Sequence, residues 1–288
     1  MKGLIMKGIG GFYYVKTADG IYQTRGRGIF KKQGVTLAVG DNVEIEILPD
    51  GDGVINEILP RKNQFIRPPI VNVDCFVVIF AAKKPKPNFQ VVDRFLIMAE
   101  RCSMEAVICV NKCDLADEEE LEQIKSVYGD IYPVLFVSGK TGQGIASLNT
   151  YISGKRAAFA GPSGVGKSTI TNRIIPEANM ETGSVSSKTS RGRHTTRHVE
   201  IFETEEGGLV FDTPGFTSFD ILEAEEDELA GCYPEFAPYL GQCRFDNCRH
   251  RKEPDCAVRR AVEEGSISRI RYESYLANLE EISSRKKY

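Results

Sequence analysis

The chain has 288 residues, 41% of them hydrophobic and 27% charged, a balance that excludes wholesale disorder and gives room for roughly two ordinary domains, or three if some are small. Its longest apolar run, Cys75 to Ala82, falls far short of the ~20 residues a membrane span needs. Met1 to Gly10 carry no signal-peptide core, and eight cysteines at this length do not make a disulfide scaffold, so the composition predicts a cytoplasmic protein with no membrane partner.

Residues 1–62 read as a small β-barrel. Short strands are predicted at Phe12 to Thr17, Gly20 to Gly28, Asn42 to Leu48 and Gly53 to Leu59, with turn formers such as Asp19-Gly20 and Asp50 to Gly53 between them. A sheet this small must hide its edges, which points to an OB-fold, with an SH3-like barrel as the alternative. Residues 63–220 change pattern after Pro68-Pro69. Apolar strands at Cys75 to Ala82, Val107 to Val110, Pro133 to Val137, Ala157 to Ala160, Val199 to Phe202 and Leu209 to Phe211 alternate with helical stretches. One helix is marked by Val91, Phe95 and Met98, another by the acidic run Glu118 to Tyr128, and a third by Ser168 to Ile175. That alternation predicts an α/β domain with a parallel, doubly wound sheet. Residues 221–288 lose the strand signal: a cysteine-rich loop leads into helices near Asp255 to Glu264 and Ser268 to Ser284, the last with Tyr272, Leu276, Leu279 and Ile282 on one face.

The motifs lie on the α/β segment. Asn111-Lys112-Cys113-Asp114 follows a predicted strand directly. The Asp114 carboxylate can accept two hydrogen bonds from guanine, at N1–H and the exocyclic amine. Adenine offers neither donor, and an unpaired buried acceptor costs ~1–3 kcal/mol or more, which selects GTP over ATP. Asn111 is expected to reach guanine N7 and to tether neighbouring loops, and the Lys112 stem to cover the base. Ser138-Gly139-Lys140, after the next strand, can add backbone contacts to guanine O6. Gly161-Pro162-Ser163-Gly164-Val165-Gly166-Lys167-Ser168-Thr169 fits the phosphate-binding loop, with a strand before it and a helix after it. Its glycines let successive N–H groups face one centre at a helix N-terminus. Lys167 would reach the β- and γ-phosphates and Ser168 would hold Mg²⁺. Asp212-Thr213-Pro214-Gly215 closes the last strand, placing Asp212 as a Mg²⁺ anchor and Gly215 opposite the γ-phosphate. Thr195 or Thr196 would complete the magnesium shell. Phe216-Thr217-Ser218 carries no water-orienting glutamine, so intrinsic hydrolysis is expected to be slow, and His194 is the candidate catalytic group.

Cys243, Cys248, His250 and Cys256 are spaced C-x₄-C-x-H-x₅-C. Three thiolates and one imidazole fill a tetrahedral shell with no open position, so a structural Zn²⁺ is predicted, with Cys232 as a spare ligand. Cys75, Cys102 and Cys109 read as buried fillers. The net charge of −3 excludes a uniformly basic nucleic-acid binder. Basic islands remain at Arg25 to Lys32, Lys83 to Lys86, Ser184 to His198 and Cys243 to Arg260, and the arginines around the cysteine clip suit RNA phosphate. Tyr13, Tyr14 and Tyr22 give the barrel stacking surfaces.

The order of these motifs is informative, because the guanine reader precedes the phosphate loop, the reverse of a typical small GTPase. The same sheet can be built from a chain cut at another loop if the original termini lie close together. With Asn111 to Asp114, Gly161 to Thr169, Gly192 to Thr196, Asp212 to Gly215 and Cys243 to Cys256, the whole chain resembles the bacterial small-subunit-dependent, circularly permuted GTPases. That resemblance implies an OB-fold, a zinc site, binding to the 30S ribosomal subunit and its rRNA, and a role late in subunit maturation. A monomer is the default expectation. Two other readings stand beside it: an RNA-binding assembly factor that uses GTP as a passive affinity switch, and a small-molecule kinase, against which Asp114 argues.

Overall fold

The computed structural model describes residues 1–49, 51–65, 68–178, 199–212 and 224–285. Five strands open the chain: β1 (Lys2–Ile9), β2 (Phe12–Thr17), β3 (Gly20–Gly26), β4 (Asn42–Ile47) and β5 (Gly53–Ile58), with a short helix α1 (Gly28–Lys32) after β3. They close in the order β1–β2–β3–β5–β4–β1, with β3 and β5 parallel and the other pairs antiparallel. This is the OB-fold order, and it decides between the two barrels that the turn pattern leaves open. Sequence patterning misses β1. Its apolar residues Leu4, Ile5 and Met6 are consecutive because the pairing with β2 shifts register between Ile5 and Lys7, and such a bulge breaks the alternation that marks a strand.

The second layer contains β6 (Cys75–Ala81), α2 (Phe89–Arg101), β7 (Glu105–Asn111), α3 (Glu118–Tyr128), β8 (Val134–Phe136), α4 (Ile145–Ile152), β9 (Arg156–Ala160), α5 (Lys167–Ile174), β10 (Glu200–Glu203) and β11 (Leu209–Asp212). The sheet order is β10–β11–β9–β6–β7–β8, parallel throughout except for the antiparallel β10–β11 pair. Every residue of β6 is buried, and so is every residue of β7 after Glu105, as strands covered on both faces require. The acidic run that opens α3 has a local purpose. Asp117 accepts from Glu120 N–H and Glu120 accepts from Asp117 N–H, a capping box whose carboxylates also suit the positive end of the helix. Helix α4 has no counterpart in the sequence reading: it is short, opens at Gly144 and buries Ile145, Leu148 and Ile152 alone.

The barrel is fixed to this sheet along its β10 edge. Strand β1 meets β10 at Lys7 and Glu200, whose side chains pair at 2.5 Å, and Lys16 pairs with Glu203 beside them. The buried Asp41 carboxylate takes two bonds from Arg61, at 2.7 and 2.8 Å. Asn72 Nδ2 donates to Gly40 O at 2.9 Å, and Arg156 Nη2 donates to Asn42 Oδ1 at 2.7 Å.

The C-terminal part has its own apolar core, built from two 3₁₀ turns (Leu229–Cys232 and Pro234–Tyr239) and helices α6 (Ala257–Glu263) and α7 (Arg269–Arg285). Ile97 of α2 belongs to that core, so the C-terminal part docks on α2. The buried face of α7 is not the apolar stripe expected from its sequence. It carries Arg271, Ser274, Tyr275, Asn278, Leu279 and Ile282, with Tyr272 and Leu276 only half-buried. The cause is a buried ion cluster at the junction. Arg271 Nη1 donates to Asp93 Oδ1 at 2.5 Å, its Nε and Nη2 donate to Glu235 at 2.7 and 3.1 Å, and Tyr128 donates to the same Asp93 oxygen at 2.9 Å. The guanidinium also lies 4.6 Å from the Tyr233 ring centroid. Burial pushes the Asp93 carboxyl upward, and the adjacent guanidinium opposes that shift. No helix among the described residues is long and apolar enough to cross a membrane.

Arg271→Met leaves two buried carboxylates without their cation. With the Arg271 and Asp93 side chains 1% and 0% exposed, the expected loss is about 3–5 kcal/mol of unfolding free energy in a denaturant titration. A loss under about 1 kcal/mol would show that the cluster contributes little.

Candidate nucleotide site and metal centre

Strands β6, β7, β8, β9 and β11 run parallel, so the loops at their C-terminal ends gather on one edge of the sheet. Four of the motif segments sit there. Residues Gly161 to Gly166 leave β9 and enter α5 at Lys167; Asn111 to Asp114 leave β7; Ser138 to Lys140 leave β8; Asp212 ends β11, the parallel neighbour of β9.

Asn111 holds three of these loops together. It is 2% exposed; its Nδ2 donates to Val165 O in the phosphate loop at 2.7 Å, and its Oδ1 accepts from Gly139 N–H at 2.9 Å. Gly166 must be glycine for this to happen: its φ is +96°, and a Cβ there would lie 2.3 Å from Asn111 Nδ2. Lys112 adopts a left-handed backbone, φ 61°, and its ammonium donates to Gly164 O at 2.8 Å and Lys84 O at 2.5 Å. Cys113 is buried, and burial raises its thiol pKa. Asp114 is exposed to solvent and accepts from Ser138 Oγ at 2.6 Å, which fixes one carboxylate oxygen. The buried Ser138 hydroxyl also accepts from Thr141 N–H at 3.1 Å.

The phosphate loop is closed on its own lysine. Lys167 Nζ donates to Gly161 O at 2.6 Å and to Pro162 O at 2.8 Å, and burial lowers its pKa to about 8. Val165 is buried, while Pro162, Ser163, Gly164, Ser168 and Thr169 keep solvent access. Thr169 packs on the opposite loop, since a Cβ built at Gly139 would lie 3.2 Å from its methyl group. This arrangement can accept a phosphate chain at the N-terminus of α5 and a purine between Lys112, Asp114 and the 138–140 loop. Ser168 and Asp212 stand at the same edge, with the oxygen donors that Mg²⁺ prefers. His194, Thr195 and Thr196, and Thr213 to Phe216, lie outside the described residues. Two contacts to this site have no motif signature: the Lys84 carbonyl on Lys112, and Arg173 of α5, which donates to Gly139 O and Lys140 O at 3.0 and 2.7 Å.

The cysteine clip forms as spaced. The ligand atoms of Cys243, Cys248, His250 and Cys256 all lie within 4.8 Å of one another. Cys243 Sγ is 3.9 Å from Cys256 Sγ and 3.6 Å from His250 Nδ1, and His250 Nδ1 is 3.3 Å from Cys256 Sγ. A tetrahedron of zinc-ligand bonds of about 2.3 Å has edges near ~3.8 Å between sulfurs, so the donor set fits that ion. Burial lowers the His250 pKa, favouring the neutral imidazole that a ligand must be, and pushes the Cys248 thiol up to about 12 and the Cys256 thiol upward, so ionising those two thiols calls for a cation beside them. Tyr272 and Tyr275 donate to the carbonyls of His250 and Arg249, tying the clip to α7. Cys232 is not part of this cluster; it lies in the C-terminal core, its thiol raised to about 11 by burial. Cys75 and Cys109 are buried fillers as expected, and Cys102 is half-buried.

The basic ring around the clip is less free than its sequence implies. Arg249 pairs with Glu226 and Asp227, Arg251 with Glu280, and Arg244 with Asp255, acids that distant segments supply in two of the three cases. Lys252 and Arg260 are exposed and form no ion pair among the described residues. On the barrel, Tyr13 and Tyr22 pack against the core, and Tyr14 donates to Gln23 at 3.3 Å.

The family model described as RsgA GTPase matches residues 58–222, and that of the RsgA N-terminal domain matches residues 2–55. A protein of Clostridium perfringens strain SM101, named small ribosomal subunit biogenesis GTPase RsgA, is 47% identical over 99% of both chains. A protein of the same name from Agathobacter rectalis is 45% identical over 100% of both. Among solved structures, YjeQ from Thermotoga maritima superposes with a TM-score of 0.86 at 35% identity, covering 98% of each chain. YloQ, described as a circularly permuted GTPase, gives 0.82 at 37% identity, covering 99% of this chain and 95% of that one.

A phosphate chain that enters the loop needs Lys167 charged. Its pKa near 8 in the free protein must then rise, so affinity is full at pH 7 and falls as pH climbs past that value. Binding of GDP at pH 8 is expected to take up about half a proton at this group, read from binding heats in buffers of different ionisation enthalpy. Zero uptake would contradict the assignment.

Proposed function

The chain belongs to the RsgA GTPase family, and on that premise we propose that it hydrolyses GTP in the biogenesis of the small ribosomal subunit, its nucleotide state controlling how it docks on the 30S subunit and its rRNA. The observation that carries this reading is the buried Asn111 carboxamide, bonded at once to the phosphate loop and to the 138–140 loop. It supports one pocket assembled from motifs that occur in permuted order along the chain.

The roles follow from position. Asp114, oriented by Ser138, reads guanine N1–H and the exocyclic amine; Lys112 and Cys113 complete that loop, and Asn111 holds it in register. Gly161 to Thr169 cradle the phosphates with backbone N–H groups, and Lys167 exchanges its two loop carbonyls for phosphate oxygens. Ser168 and Asp212, with Thr195 or Thr196, are the residues that would hold Mg²⁺, which supplies charge neutralisation on the β- and γ-oxygens when bound. His194 is proposed to orient the attacking water, in place of the glutamine absent after Gly215. Residues 1–62, 63–220 and 221–288 then act as RNA-facing barrel, GTPase and zinc-clipped lobe, working in the cytoplasm as a monomer. Cys243, Cys248, His250 and Cys256 hold Zn²⁺ as a structural ion.

Turnover of GTP and of ATP, measured with and without purified small subunits, tests the function. Slow basal hydrolysis of GTP, strong stimulation by subunits and no turnover of ATP are expected. Unstimulated hydrolysis would favour the rival reading, an RNA-binding assembly factor that uses GTP as a passive switch; a preference for ATP would overturn the guanine reader. For the clip, metal analysis of protein purified without added zinc should return about one zinc per chain. Folded, clip-intact protein with none would exclude a structural zinc.

A further inference from the structure

We propose that Arg173, in the last turn of α5, is a positioning residue for purine recognition: it sets the plane of the Gly139–Lys140 peptide so that the Lys140 N–H is free to donate to the oxygen at C6 of guanine. This rests on the guanine-reading function of the 138–140 loop proposed above.

The backbone donors of that loop can be counted. Ser138 N–H bonds to Gln143 O, Gly139 N–H to Asn111 Oδ1, Thr141 N–H to Ser138 Oγ and Gly142 N–H to Ser138 O. Only the Lys140 N–H has no partner among the described residues. A peptide unit is planar and trans, so the carbonyl of one residue and the N–H of the next point in opposite directions. Arg173 Nε takes the Gly139 carbonyl at 3.0 Å, and Nη2 takes the Lys140 carbonyl at 2.7 Å. The first bond turns the Lys140 N–H away from α5, and the second prevents the next peptide from rotating back. Asn111 grips the preceding peptide from its N–H side. The loop is therefore clamped between two side chains, and its one spare donor is aimed by them.

Arg173 also lies on the helix whose N-terminus meets the phosphates, six residues after Lys167. One rigid helix then sets both the phosphate cradle and the base-reading peptide. The competing role is ordinary: an arginine in the last turn complements the helix dipole and nothing more. The two roles separate on the base.

The test compares GDP with 2-aminopurine riboside diphosphate, which carries the same phosphates but hydrogen at C6 and no N1–H. Affinities are measured by calorimetry for the full chain, for Arg173→Ala and for Arg173→Lys, with thermal midpoints for each. Arg173→Ala is expected to weaken GDP about fivefold to tenfold and the analogue less than about twofold. Arg173→Lys, whose ammonium can serve one carbonyl at a time, is expected to fall between. Equal weakening of both nucleotides, or of neither, would overturn the proposal and leave Arg173 a structural residue. If the unmodified chain itself binds both nucleotides equally, the guanine-reading function fails first and this inference falls with it.

Discussion

A single buried carboxamide decides whether this sheet edge is a pocket or three unrelated loops. Asn111 must donate to one loop and accept from another, and its carboxamide does both with separate atoms, Nδ2 and Oδ1. At 2% exposure neither partner can turn to water instead, so losing the contact strands a carbonyl on Val165 or an N–H on Gly139. Its neighbours conform to this demand. Gly166 gives up its side chain to let the amide approach, and Lys112 takes a left-handed backbone that sends its ammonium back over Gly164. The pocket is over-determined before any nucleotide arrives, which is what a site that must discriminate between purines requires.

The permuted order has a mechanical consequence. Strand β11 runs beside the phosphate-loop strand, and its last residue, Asp212, precedes the chain segment that leads into the C-terminal part. The other face of β11 is buttressed by the barrel. At Gly40, where φ is +96°, a Cβ would lie 2.2 Å from Val71 O and 3.0 Å from the Phe211 ring. Phe211, the residue before Asp212 in β11, therefore ties the nucleotide-site edge of the sheet to the barrel.

Much of this was legible in one dimension. Motif segments are local, so the phosphate loop, the reader at Asn111 to Asp114 and the clip at Cys243 to Cys256 can be read wherever the chain is cut. Continuous apolar runs such as Cys75 to Ala81 announce buried parallel strands. What escaped reading is non-local. Strand β1 hides behind a bulge that exists only because β2 pairs with it. Helix α7 turns a polar stripe inward because Asp93 and Glu235, far away in sequence, need a cation. Arg173 matters through two carbonyls more than thirty residues away in the chain, a relation that no spacing rule encodes.

The same non-locality changes what the basic clip can be. Counted along the chain, its arginines make a cationic knob; in the fold, Arg249 is held by Glu226 and Asp227, and Arg251 by Glu280 of α7. Exposed pairs such as Arg251–Glu280 add little stability on their own, while the Glu226 carboxylate that holds Arg249 is buried. These pairs do, however, hold guanidinium groups at set positions, and the clip, the Tyr272 and Tyr275 bonds and the Arg271 cluster join those positions rigidly to α2 of the GTPase sheet. The clip is therefore a largely charge-paired surface joined to the GTPase sheet, with Lys252 and Arg260 exposed outside its ion pairs among the described residues.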